Sequence, residues 1–230
     1  MSNLIVGATD LELSVLIEKL NFKQEKPFFD FSIYHSTHNK RDIILVRSGP
    51  GIANAAAAAA VAIDRYRIDH VYNVGVCGAY SQDARLLARV VVGVHAVFAD
   101  TGMETDTAFL PLSAMDLPLA NIKGAKIFNI IKLNSDHVPR QITRGDFATV
   151  AVFSGSAHVA QKISRRFKVN PGELLCEDME SAAVALLALK ASIPCTVLRG
   201  ISNLCGERNH SEWKLSEAAG AAQKELLKLL

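Results

Sequence analysis

ELLCEDMESAAVALLALK, residues 173–190, runs from a short apolar stretch through three acids and into a helix built of small residues. The apolar start ELLC reads as a buried strand, and 178–190 as the helix that follows it. A strand that feeds directly into a helix is half of a βαβ unit, whose strands pair in parallel. Acids near a helix start are favoured by the helix dipole and the unpaired N–H groups there, which accounts for Glu177 and Asp178. Glu180 falls a turn further in, on a helix that reads as packed from most sides. A carboxylate there costs free energy unless something hydrogen-bonds to it. Two readings stand at this point, a helix-start acid and a ligand-binding acid.

The same alternation extends in both directions. Leu4-Ile5-Val6-Gly7 reads as a strand, with Leu13, Leu16, Ile17 and Leu20 following at helical spacing. FFDFSIYHS and DIILVRS read as paired strands around Asn39-Lys40. Residues 52–66 read as a helix whose six consecutive alanines let it approach a neighbour closely. Strands are expected at 70–75, 88–99, 148–154 and 195–202, and helices at 156–167 and 211–229. Residues 100–146, with prolines at 111, 118 and 139, read as one long loop-rich segment, a kind that tends to be functional or mobile. Near-continuous apolar strands alternating with helices imply an α/β fold with a mostly parallel, twisted sheet covered on both faces. No repeat or linker divides the chain, so residues 1–230 are expected to form one domain.

Of the 230 residues, 50% are hydrophobic and 21% charged, the profile of a folded chain rather than a disordered one. The net charge of +2 comes from scattered residues and points away from a nucleic-acid or acidic-membrane partner. No apolar run reaches membrane-spanning length, and MSNLIVGATDLE lacks the features of a secretory signal, so a cytoplasmic protein is expected. Cysteines 77, 176, 195 and 205 form no CxxC pair and read as reduced packing residues, with no metal site.

In folds of this kind ligands bind beyond the carboxyl ends of the strands. SGPGIAN (48–54) lacks the third glycine of a dinucleotide fingerprint, which leaves a tight turn into the alanine-rich helix beside any phosphate role. NVGVCGAY (73–80) reads as a glycine turn that lets backbone approach a ligand, with Cys77 and Gly78 in it. Glu12, in GATDLE, is by itself a helix-start surface acid. Ser202 and Asn203 close RGISNLCG and by themselves are turn or cap residues.

Taken in order, GATDLE, SGPG, NVGVCGA, VFSGSAH, DMES and RGISN resemble the nucleoside phosphorylase and nucleosidase superfamily over nearly the whole chain. The resemblance implies a nucleoside phosphorylase-like, three-layer α/β/α architecture and a small-molecule nucleoside as partner. It implies no metal or organic cofactor, and a homo-oligomer, a dimer or larger. DMES is similar to the superfamily's Glu-Met-Glu segment, which makes Glu180 the acceptor for ribose hydroxyls and packs Met179 on the sugar. RGISN is similar to Arg-x-Ile-Ser-Asp with asparagine last, which carries Ser202 and Asn203 to the base. His158 falls where related nucleosidases stack an aromatic ring on the base, or is a surface histidine at a helix start. FADTGMETDTAFLPL (98–112) resembles a segment of the futalosine hydrolases, which release hypoxanthine from futalosine in the alternative menaquinone pathway. That substrate's carboxylate would meet a cation of the 100–146 segment or of a partner subunit.

An amide at 203 can donate to the C6 carbonyl of hypoxanthine, where an ionised carboxylate would set lone pair against lone pair. The expectation is therefore hydrolysis of a 6-oxopurine nucleoside. Glu12, at the superfamily's general-base position, would take a proton from the attacking water and Asn203 would stabilise the departing purine. The superfamily's bacterial phosphorylases carry arginine near Asn73 and serine near Val76, which removes two expected phosphate ligands. Arg47 is the basic residue closest by in sequence. The competing readings are an adenine-releasing nucleosidase, acting on methylthioadenosine, S-adenosylhomocysteine or aminodeoxyfutalosine; a phosphorylase; a non-catalytic purine-binding protein; and a dinucleotide oxidoreductase.

Overall fold

The computed structural model describes residues 2–167, 173–207 and 209–230. The chain begins with β1 (Ser2–Gly7), α1 (Ser14–Lys19), β2 (Lys23–Gln24), β3 (Ser32–His38), β4 (Arg41–Arg47), α2 (Ile52–Arg65), β5 (Ile68–Ala79) and β6 (Val90–Phe98). Two hairpins follow, β7 (Gly102–Glu104) with β8 (Phe109–Pro111) and β9 (Ala120–Ile122) with β10 (Ala125–Ile127). The remainder is β11 (Ile130–Lys132), β12 (Thr143–Thr149), α3 (Ala157–Arg166), β13 (Leu174–Asp178), α4 (Ser181–Lys190), β14 (Cys195–Leu204) and α5 (Leu215–Leu227).

Ten strands make one sheet, ordered β11-β6-β12-β13-β5-β1-β4-β3-β2, with β14 pairing both β5 and β6. Two parallel blocks form its centre: β4-β1-β5-β14 and β6-β12-β13. They meet in antiparallel pairings, β13 on β5 and β14 on β6, and the edge strands β11, β3 and β2 are antiparallel as well. The sheet is thus mixed, with its parallel pairs where the sequence has βαβ units.

Strand alternation assigns the helices to layers. Leu4 and Val6 point into a core with Ala55, Ala58, Ala59 and Ala62 of α2 and Ala182, Ala183, Ala185 and Ala188 of α4. Ile5, one residue out of phase, points into a core with Leu13, Leu16, Ala222 and Leu226 on the other face. A three-layer α/β/α arrangement results. The alanine-rich helix finds its close neighbour in α4, which is buried along nearly its whole length. Among the described residues no helix is long and apolar enough to cross a membrane.

Several sequence expectations shift. The strand expected at 148–154 lies at Thr143–Thr149. Its charged residues are satisfied by tertiary partners: Asp146 by His95 Nδ1 at 3.0 Å, and Arg144 by the carbonyls of Ser135 and Val138, both at 3.2 Å. Residues 150–154 are thereby released as a loop. Residues 100–146 are not loop alone, because they hold both hairpins and the edge strand β11. NVGVCGAY is not a turn: β5 runs straight through to Ala79, and its glycines serve close approach without positive φ.

Candidate active site

At the ends of β1, β5, β13 and β14 lies a cavity of about 240 Å³. Glu12, Cys77, Gly78, Met179, Glu180, Ser202 and Asn203 all line it, so residues scattered over most of the chain meet at one cavity. His158 does not. It lines two other surface depressions, one between Tyr80 and Gln161 and one beside the β7–β8 hairpin. The aromatic side chains at the cavity are Phe153, from the loop released after β12, and Trp213, before α5.

Glu12 sits in the turn between β1 and α1, buried to 6% exposure. That turn is held from behind by Gln223 of α5, fully buried, whose Nε2 donates to the Leu11 carbonyl at 3.0 Å while its Oε1 accepts from Val15 N at 2.9 Å. The carboxylate is aimed by three donors: Oε2 accepts from Thr9 N (3.0 Å) and Thr9 Oγ1 (2.9 Å), and Oε1 from Val76 N (2.9 Å). An ionised carboxylate offers about two acceptor sites on each oxygen, so Oε1 keeps one unused. Gly75 explains why that oxygen can lie against the sheet, since a Cβ there would stand 2.3 Å from it.

Glu180 is not inside a helix. Its carboxylate departs from the residue that caps α4, and Oε1 accepts from the N–H of Gly51 at 2.8 Å, at the start of α2. SGPG therefore serves a carboxylate of its own chain: Gly51, at φ 96°, presents its N–H to Glu180. Burial raises the Glu180 carboxyl from its ordinary 4.5 to about 7; Asp178 and Glu12 add to the effect, while Arg199 and the Gly51 N–H oppose it. The native state thus binds a proton more tightly than the unfolded chain does. Its contribution to stability is full below pH 4.5 and is lost as pH rises through about 7. Denaturant titration at pH 5 and pH 8 should show Glu180→Gln gaining on the wild type at the higher pH. An equal difference at both would contradict this account.

Arg199, with only 1% exposure, is the residue that sequence reasoning left without a role. Its Nε donates to Asp178 Oδ2 at 3.2 Å, and Nη2 donates to Asn73 Oδ1 at 2.6 Å and Ser181 Oγ at 3.1 Å. Nη2 also stands 3.7 Å from Glu180 Oε2. Nη1 is buried with no hydrogen-bond partner among the described residues, and a Cβ on Gly75 would stand 3.2 Å from it. Glu12 Oε1 and Arg199 Nη1 therefore both pack against the bare Cα of Gly75. The available signal was an arginine inside the apolar strand CTVLRGIS, which implies a buried counter-ion. Asp178 supplies that charge and is further tied to Thr149 Oγ1 (2.7 Å) and to the Ser181 hydroxyl.

At the far end, Asn203 Oδ1 lies 2.8 Å from the Ser202 hydroxyl, and Nδ2 donates to the Leu204 carbonyl at 3.3 Å. That nitrogen has a second proton to donate and lies beside Gly78, where a Cβ would stand 3.1 Å from it. Arg47 is engaged elsewhere, with Asp10 at 2.6 Å and Ser32 Oγ at 2.8 Å. The 98–112 segment folds onto α3, where Glu104 meets Lys162 and Arg166 and where Arg166 covers the Phe109 ring; it does not line this cavity.

A model of the phosphorylase superfamily matches residues 3–230. The chain belongs to the phosphorylase superfamily. Its curated relatives include the 5′-methylthioadenosine/S-adenosylhomocysteine nucleosidase of Bacillus subtilis (strain 168), 25% identical over 232 residues that cover 98% of this chain and 96% of that protein. The corresponding nucleosidase from Colwellia psychrerythraea 34H, solved with adenine, superposes with a TM-score of 0.79 at 24% identity, covering 100% of this chain and 94% of that one. Futalosine hydrolase of Helicobacter pylori strain 26695 superposes with a TM-score of 0.80 at 23% identity, covering 100% and 98%. At these identities the structural matches establish a shared fold, and within the superfamily this chain has asparagine at 203 and a buried Asp178–Arg199 pair near Glu12 and Glu180.

Proposed function

We propose that the protein is a nucleosidase that hydrolyses the N-glycosidic bond of futalosine, releasing hypoxanthine. The observation that carries this reading is that Glu12 and Glu180 line one cavity, with an acceptor site left open on Glu12 Oε1. A water that reaches Glu12 from the cavity donates to the open acceptor of Oε1. As the glycosidic bond breaks, positive charge grows at the anomeric carbon, the water oxygen attacks it, and Glu12 takes the proton released. Glu180 accepts from the ribose hydroxyls, Met179 packs on the sugar, and Asn203 Nδ2 donates a hydrogen bond to the departing base, which leaves as its anion and takes its proton from solvent water. Cys77 and Gly78 form the floor on which the base lies, with Ser202 holding the amide.

The electrostatics favour water over phosphate. Glu12, Glu177, Asp178, Glu180 and Glu207 all line the cavity, and among the described residues no lysine or arginine does. Those carboxylates disfavour a phosphate dianion more than neutral water, although Arg199, paired with Asp178 and 3.7 Å from Glu180 Oε2, offsets part of their charge. Ribose binding needs the ionised form of Glu180, so kcat/KM should fall on the acid side of about pH 7.

Futalosine is favoured over adenine nucleosides by the Asn203 amide and by the resemblance of the 98–112 segment to futalosine hydrolases, although that segment lies against α3 rather than at the cavity; the Helicobacter pylori hydrolase is a relative in fold that bears this activity in its name. A second reading, methylthioadenosine/S-adenosylhomocysteine hydrolysis, draws support from the curated relatives, which carry that name. Incubation with futalosine in phosphate-free buffer, followed by chromatography, should release hypoxanthine. No release at micromolar enzyme would remove the proposal, and faster turnover of methylthioadenosine would install the second reading. We also hold to the single domain, the homo-oligomer and the cytoplasmic location expected above; sedimentation analysis tests the second.

A further inference from the structure

Three adjacent strands place Glu177, Gly78 and Asn203 in one row, because Gly78 pairs with Glu177 of β13 on one side and with Asn203 of β14 on the other. Residues directly paired across neighbouring strands project from the same face of a sheet. The Glu177 carboxylate and the Asn203 amide therefore flank a position that has no side chain, and all three residues line the cavity.

Glu177 is 4% exposed, and each of its side-chain hydrogen bonds comes from a neutral donor. Oε2 accepts from the Tyr80 hydroxyl and the Ser154 hydroxyl, both at 2.5 Å, and Oε1 accepts from Ser154 N at 2.9 Å. Two bonds fill Oε2, while Oε1 retains one acceptor site. A buried carboxylate with an open acceptor is costly unless a ligand donates to it. Neither the attacking water nor the ribose, as read above, uses this group.

We infer that Glu177 is a specificity-determining residue that accepts the N1–H of a 6-oxopurine while Asn203 donates to the same base. Hypoxanthine carries a proton at N1. Adenine presents a lone pair there, which would face the lone pair of Oε1. The inference rests on the 6-oxopurine reading of the cavity and extends it from one amide to a second, oppositely polar group. Together the two side chains offer one donor and one acceptor, the complement of a ring amide.

Calorimetric titration of the protein and of Glu177→Gln with hypoxanthine, 1-methylhypoxanthine and adenine tests it. The wild type should bind hypoxanthine at least about 10-fold more tightly than either other base, and Glu177→Gln should lose about 10- to 100-fold on hypoxanthine, the range for a hydrogen bond to a charged group. Because a glutamine amide can donate to N1, adenine should bind the variant more tightly than it binds the wild type. Equal wild-type affinity for hypoxanthine and its 1-methyl derivative, no hypoxanthine binding at all, or an equal loss on all three bases would each overturn the assignment. If the variant fails to fold, the wild-type series decides by itself. Hypoxanthine release from futalosine, assayed on the same wild-type sample, separates the two ideas. Release without base discrimination retires only Glu177's role, and discrimination without release retires only the hydrolase reading.

Discussion

Glu12→Gln is expected to lower turnover by about 10²- to 10⁴-fold while nucleoside still binds, the range that general-base catalysis supplies. The side chain keeps its length, and Gln223 still clamps the turn that carries it. What disappears is the group able to take the water's proton at Oε1. The amide nitrogen must also face either the Val76 N–H or the Thr9 donors, all of which point at a carboxylate now. One lost bond of that kind costs about 1–3 kcal/mol of stability. Single-turnover kinetics beside a binding titration separates the effects. Turnover within a few-fold of wild type, or loss of binding in step with turnover in a folded variant, would deny Glu12 the role of base. A purine-binding protein without catalysis would show no turnover to lose.

Arg199→Met is expected to destabilise the fold by about 3–5 kcal/mol, the cost of removing one partner from a buried ion pair. For a chain of this size that corresponds to a drop in Tm of about 6–20 °C. The methionine fills much of the volume, so the loss is chiefly electrostatic. Asp178, 2% exposed, is left without its cation, Glu180 loses its nearest positive charge, and Asn73 Oδ1 loses its donor at 2.6 Å. The deficit should shrink from pH 8 to pH 5, because Glu180, raised to about 7 by its burial, is then neutral in either protein. Thermal unfolding at both values measures this. A deficit below 1 kcal/mol, or one that grows toward acid, would contradict the account.

These two residues show how differently site chemistry is written into a chain. Glu12 by itself reads as a helix-start surface acid and Glu180 as either a helix-start or a ligand-binding acid; the resemblance of GATDLE and DMES to the superfamily's segments is what singles them out. Arg199 stands in plain view in RGISN, yet its orientation depends on Asp178, Asn73 and Ser181, which come from other strands and from a helix. His158 went the other way. Its position in VFSGSAH suggested a stacking ring, but the strand before it ends at Thr149, five residues earlier than its apolar stretch implied, so Phe153 rather than His158 reaches the cavity.

The sequence by itself determined the alternation of strands and helices, the layers that follow from it, and the identity of most side chains at the strand ends, because hydrophobic period and strand-to-helix junctions are local properties. Only the tertiary structure decided which strands run antiparallel at the seams, that β5 continues through NVGVCGA, and that Glu177 and Asn203 flank Gly78. Those outcomes depend on pairings between residues far apart in the chain, such as Asp146 with His95 and Gly51 N with Glu180, whose energies appear only once the segments meet.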